Sequence, residues 1–246
     1  MSFKEIKLGA KTALNGKRKS SVGAFAIYFA IALGVGAFGG LLISPFTFNV
    51  AYPSLLFSGI VKIPALISLF ALIPLAVGLT WLHLDIYDKK AVRAGDIFDG
   101  YAPYWKVVGT TLLVMVYTYL WTLLLIVPGI IKAYSYSQTL RLLKDRPELS
   151  ANEAITESRR LMDGKKWNYF LFHLSFIGWF VPSIVAYAAA IFLLIAGFIG
   201  SGIFFLVVFS LYGIYLYFHF YPYYYTADAG FYRELTKGYS DKDPAQ

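Results

Sequence analysis

Several runs of roughly twenty residues in this chain are apolar and uncharged, each long enough to cross the ~30 Å hydrocarbon layer as a helix. A helix is required there because lipid offers no partner to backbone N–H and C=O groups. These runs fix the class before any motif is considered. Composition agrees: of 246 residues, 58% are hydrophobic and 15% charged, against about 25% charged in soluble domains. The expected fold is all-α, a single polytopic membrane bundle over 1–246 with about six transmembrane segments.

The chain contains no cysteine, which removes disulfides, thiolate metal sites and cysteine nucleophiles together. Its net charge of +8 comes from basic residues that flank apolar spans and form no single patch, so no nucleic acid is expected as a partner. A basic N-terminus precedes the first apolar core, Val22 to Ile43. That core exceeds the roughly 7–15 residues of a secretory h-region, and it reads as a retained helix.

The stretch "LLLIVPGIIKAYSYSQTLRLLKDRPELS" at 123–150 decides the topology. If the chain left the membrane after a span at 107–127, much of its basic charge would lie outside, against the cytoplasmic enrichment of Lys and Arg. If Pro128-Gly129 is a hairpin turn and 129–146 crosses back, 20 of the 22 Lys/Arg face the cytoplasm, with Lys62 and Lys132 at the outer face. The return is therefore expected. Spans are placed at about 21–43, 61–84, 107–127, 129–146, 169–196 and 200–221, with both termini cytoplasmic and the protein multi-pass in the cell membrane. Residues 44–60 read as an outer loop, and "AGFIGSG" at 196–202 as the outer turn between the last two spans. Pro74 should kink the second span, and Gly36 with Gly40 offers a close helix approach.

The returning segment is polar for a span. Ser135, Gln138 and Thr139 share one stripe, with Lys132 and Tyr136 nearby. Such groups face the bundle interior, as helix–helix hydrogen bonds or as the lining of a substrate path.

Two amphipathic helices flank the spans. Residues 2–14 align Phe3, Ile6, Ala10, Ala13 and Leu14, which reads either as a face for the membrane surface or as a frayed, solvated tail, with Asn15-Gly16 as the stop. "SANEAITESRRLMDG" at 150–164 opens with a capping box of Ser150 and Glu153 and closes at Gly164. It should lie along the inner membrane surface or against the bundle.

No GxSxG, HExxH, Walker A or GxGxxG pattern occurs, and no catalytic, cofactor-binding or metal residues are assigned. In "HLDIYD", His83, Asp85 and Asp88 do not share one helical face, and the acids beside Lys89 and Lys90 read as a solvated loop. The spacing of Asp96 and Asp99 in "DIFDGY" reads as helix-start capping by Asp96 and not as a carboxylate pair for acid–base work. His173 reads as a neutral interfacial histidine.

The blocks "LWTLLLIVPGIIKAYSYSQ", "LSANEAITESRRLMDGKKW" and "LSFIGW" resemble a family of bacterial integral membrane proteins, chiefly from Gram-positive bacteria, known as domain-of-unknown-function family nine-seven-five. The likeness is specific over 96–180, where "DIFDGY" resembles the family's central loop, and "ADAGFYREL" resembles its usual ending. Arg146 departs from the family's asparagine before the proline. The layout is more distantly similar to the membrane domain of some glycerophosphodiester phosphodiesterases. The resemblance implies topology and no established activity.

The expected role is that of a non-enzymatic interaction or envelope-homeostasis factor without a cofactor. Membrane lipids surround it, and the helix 150–164 would meet a protein partner. The alternative is a small-molecule or lipid transporter using the polar stripe, although inverted repeats show only as an echo between "NGKRKS" and "DGKKWN". A homo-oligomer is compatible with these features, but no residue pattern supports one.

Overall fold

The structure, a computed structural model, describes residues 2–47 and 55–240, with side chains over 2–37 and 70–237. Among the described residues there are ten α-helices and no strand: α1 (Phe3–Leu14), α2 (Arg18–Thr47), α3 (Leu55–Tyr87), α4 (Tyr104–Leu124), α5 (Ile126–Tyr136), α6 (Thr139–Asp145), α7 (Ala151–Leu161), α8 (Lys166–Leu174), α9 (Val181–Ile195) and α10 (Ile199–Ser240). The expected loop at 44–60 narrows, since α2 runs through Thr47 and α3 resumes at Leu55. Lys62 lies outside the described side chains.

Four helices are long and apolar enough to cross a membrane: Arg18–Ala37, Phe70–Tyr87, Tyr104–Leu124 and Ile199–Lys237. A fifth span would join Lys166–Trp179 to Val181–Ile195, bent by 56°. The expected span at 129–146 is replaced by two short helices broken at Ser137-Gln138. At ~1.5 Å per residue neither crosses lipid. The elbow also moves: Leu125 takes the extended conformation, and α5 starts at Ile126. Pro128 then falls in the first helical turn, where a missing N–H costs nothing. Gly129 serves close packing, because a Cβ there would collide with Thr122 of α4. The chain does reverse here: Lys106 at the start of α4 donates to the Pro147 carbonyl beyond α6.

The 3-10 segment Ala94–Tyr101 folds back along α3. Gly78 and Gly100 permit this, since a Cβ on either would strike the carbonyls of Ile97 or Pro74. Pro74 cannot donate to the carbonyl of residue 70. That carbonyl instead accepts the Tyr104 hydroxyl at 3.3 Å, and the neighbouring Ala71 carbonyl accepts Tyr101 at 2.5 Å. The Asp96 carboxylate accepts the Arg93 amide at 2.8 Å and caps the segment's first turn. Gly36 faces open space among the described residues, and Gly40, the other half of the expected close approach, lies outside the described side chains.

The α1 helix corrects another expectation. Ile6, Ala10, Ala13 and Leu14 are buried, but against protein: Ile6 and Ala10 pack with Phe172, Phe231 and Leu235, and Leu14 with Ile86. Asn15 caps α1 and Gly16 takes a φ of 79°. Thus α1, the C-terminal parts of α3 and α10, and α5 to α8 form one packed headpiece. From it α2, the α4–α5 elbow and the α9–α10 hairpin present exposed apolar side chains such as Leu33, Leu124, Ile195 and Phe204. The turn between α9 and α10 uses Gly197 at a φ of 84°.

Candidate functional site

The polar stripe lies inside the headpiece, where α5, α6, α7 and α10 meet. Ser135, Tyr136, Gln138 and Thr139 are all buried. Their bonds turn inward. Ser135 donates to the Ile131 carbonyl at 2.8 Å, and Thr139 to the Tyr136 carbonyl at 2.8 Å. The Ser158 hydroxyl of α7 donates to the Ser135 carbonyl at 2.8 Å and accepts the Gln138 amide at 3.2 Å. It thereby satisfies both groups freed by the α5–α6 break, since buried backbone polar groups must find partners.

Gln138 leads to the densest charge cluster. Its Oε1 accepts from Arg141 at 2.9 Å, and Arg141 donates to Asp228 at 2.5 Å. Tyr169 completes the carboxylate with a 2.9 Å bond. Both ions are almost fully buried, so each depends on the other: removing one strands a charge in low dielectric. A second cluster lies alongside. Arg233 grips Asp88 at 2.8 and 2.5 Å and also holds Asp145, which accepts Tyr232 at 2.7 Å. Lys144 joins Asp85 and the Trp81 carbonyl, tying α6 to α3.

His83, Asp85 and Asp88 diverge, and the expected solvated loop is partly packed. His83 is buried, with Nε2 2.8 Å from the Ser21 hydroxyl and Nδ1 2.7 Å from the Leu79 carbonyl. Asp85 and Asp88 face the separate cations just described. Among the described residues no three His, Asp or Glu side chains gather as a metal site. His173 is half-buried and 2.8 Å from the Tyr224 hydroxyl.

Lys132 is not on the stripe's bonded network. Its ammonium sits 4.5 Å from the centre of the Trp121 ring, across the α4–α5 hairpin.

The α7 helix has its capping box: Ser150 accepts the Glu153 amide at 3.4 Å, and Glu153 accepts the Ser150 amide at 2.8 Å. The bond from the Ser150 amide holds the Glu153 carboxyl below its usual range. Gly164 takes a φ of 66° in the turn that ends the helix. Ala154, Ile155 and Ser158 are buried against the bundle, while Asn152, Thr156, Arg159 and Arg160 stay exposed.

A cleft of about 520 Å³ opens between α3 and α4, with Tyr28, Ile73, Thr80, Thr111, Met115 and Tyr225 among its walls. None of the five stripe candidates lines it. Sequence reasoning missed Asp228, Tyr169 and Arg233. The available signal was a lone acid, Asp228, directly after the aromatic girdle "YLYFHFYPYYYT", where an unpaired carboxylate would be costly.

No curated protein and no solved structure matches the chain, and the distant likeness to phosphodiesterase membrane domains gains no support. A family model described as "Protein of unknown function (DUF975)" matches residues 65–238, a span that holds both ion clusters and the whole of α4 to α9. The chain belongs to that family.

Proposed function

We propose that this chain is a non-enzymatic, multi-pass protein of the cell membrane that acts as an interaction or envelope-homeostasis factor. The outward face of α7, carrying Asn152, Thr156 and Arg160, meets a protein partner, and membrane lipids surround the spans. One observation supports this reading above the transporter alternative: the intramembrane-type polar groups Ser135, Gln138 and Thr139 are consumed by bonds within the headpiece. A solute path needs polar groups with free capacity. A rigid internal network with a polar exterior suits a platform better.

Two measurements separate the readings. Copurification from native membranes should recover a partner whose yield collapses in the Thr156→Arg variant, because that side chain is exposed and forms no bond among the described residues. Recovery of the protein alone, with the variant phenotypically silent, would end the proposal. Solute flux in proteoliposomes that Gln138→Leu abolishes while the protein remains folded would establish the transporter instead.

A further inference from the structure

The cleft between α3 and α4 has a lining that says what it can hold. Ile73, Ala76 and Val77 form its α3 side, and Thr111 and Met115 its α4 side. Its volume of about 520 Å³ falls within the roughly 300–1,000 Å³ of ligand pockets. Among the described residues no charged side chain lines it. The Thr80 and Thr111 hydroxyls turn back to the carbonyls of Ala76 and Val107, at 3.1 and 2.8 Å, which commits the proton of each. Ordered water in such a space needs two to four polar partners. A hydrocarbon occupant needs none, and it gains dispersion contacts with every apolar wall.

The cleft is continuous with the apolar surface of α4. Met115 is one of its walls and is also 45% exposed, and Val116, Tyr119 and Leu120 beside it are 50–64% exposed. The polar helix α7 lies on another side. It is met by Tyr117, which donates to Asn152 at 3.1 Å and sits about 160° around the helix from Met115 at 3.6 residues per turn. One turn before Thr111, Val107 and Val108 join Val77 and Trp81 in a buried cluster, so α3 and α4 are in contact on the headpiece side of the cleft. Its open side is therefore the lipid side.

We propose that this cleft is a binding slot for one acyl chain of a membrane phospholipid, which enters from the bilayer past Met115 and lies between α3 and α4. The volume suits a single chain, so the headgroup and second chain stay outside in the leaflet. A helix from a second copy fits poorly, because one turn of a helix ~10–12 Å wide already fills roughly this volume. Without a charged wall, the slot reads hydrocarbon and not headgroup charge. The site goes beyond the proposed partner role, which concerns the outward face of α7.

The test uses the full chain in liposomes, with phosphatidylcholine and phosphatidylglycerol probes that carry a photoactivatable diazirine near the end of one acyl chain. Crosslinks mapped by mass spectrometry should fall on Val77 and Thr111 as well as on exposed Val207 of α10, and equally with both headgroups. Ala76→Phe fills the slot and should reduce the cleft crosslinks roughly tenfold, the cost of losing most of a chain's contacts, while those at Val207 persist. Native mass spectrometry in detergent should find one phospholipid retained per chain and none on the variant. Absence of crosslinks at Val77 and Thr111 in the unsubstituted chain would overturn the slot, whether or not the variant folds. So would cleft crosslinks that Ala76→Phe leaves unchanged in folded protein. An adduct with the mass of a free fatty acid, or a crosslink from Thr111 to a second copy, would overturn the phospholipid as occupant. None of these results bears on recovery of a partner through α7.

Discussion

The two halves of α10 lie on one continuous helix yet solve opposite problems. From Ile199 to Tyr215 its side chains are largely exposed and apolar, and Ser210 bonds only back to the Leu206 carbonyl at 2.7 Å. From Ala227 to Tyr232 the helix is buried, and within that stretch Asp228 and Tyr232 bond across to α6 and α8. The first half satisfies its backbone by helicity alone and leaves its surface to lipid, which is as apolar as the side chains. The second half, surrounded by polar helices and Lys/Arg, is held by pairs whose geometry must be right. The lesson is that the same secondary structure carries no specificity in one half and nearly all of it in the other.

The largest expected effect breaks the specific half. Asp228→Ala should lower headpiece stability in detergent by about 3–5 kcal/mol, because Arg141 is left buried and unpaired. Thermal unfolding reads this loss, and Arg141→Met in the same chain should restore much of it; no recovery would mean the ion pair is not the cause. Overpacking comes next. Gly100→Val pushes a side chain into the Pro74 carbonyl and should cost about 3 kcal/mol, seen as a lower melting temperature and faster hydrogen exchange in α3. Ser158→Ala leaves the Gln138 amide and Ser135 carbonyl without partners and should cost about 1–3 kcal/mol, with exchange rising at the α5–α6 break.

Smaller effects sharpen the contrast. The Glu153 carboxyl is held below its ordinary value of 4.5, so its capping contribution is present above that value. It should fade as pH falls below 4.5 through the folded value, increasing exchange in the first turn of α7. Ser150→Ala removes the hydroxyl's bond to the Glu153 amide and should cost about 1 kcal/mol, yet it should keep that pH response, because the amide of residue 150 still meets the carboxylate; Glu153→Gln should remove the response. At the other extreme, Val207→Ala on the lipid-side half should stay within about 0.5 kcal/mol. A large loss there would show that the outer half of α10 packs against something beyond this chain.

Much of this was legible in order along the chain. The apolar runs gave the helical class, the Ser150–Glu153 spacing gave the α7 cap, and the 196–202 cluster marked the α9–α10 turn. Each is local, resting on residues within a few positions of one another. The partner of Arg141 was not legible, because Asp228 lies 87 positions away and both sit at the ends of apolar runs that look interchangeable. The α1 face was read correctly as residues and wrongly as an environment: an amphipathic stripe states that a surface will be covered, not by what. The elbow shifted from Pro128-Gly129 to Leu125 for a related reason. Proline and glycine permit a turn, yet proline also suits a helix's first turn, and Gly129 was needed for contact with Thr122.

By itself, then, the sequence determined that this protein is helical and membrane-embedded, because hydrocarbon length and backbone hydrogen bonding leave no other solution for such runs. Tertiary structure alone decided that 129–146 breaks into two helices, that its polar stripe is spent internally, and which acids meet which bases. Those outcomes depend on distances between segments far apart in the chain, and a one-dimensional pattern holds no distances of that kind.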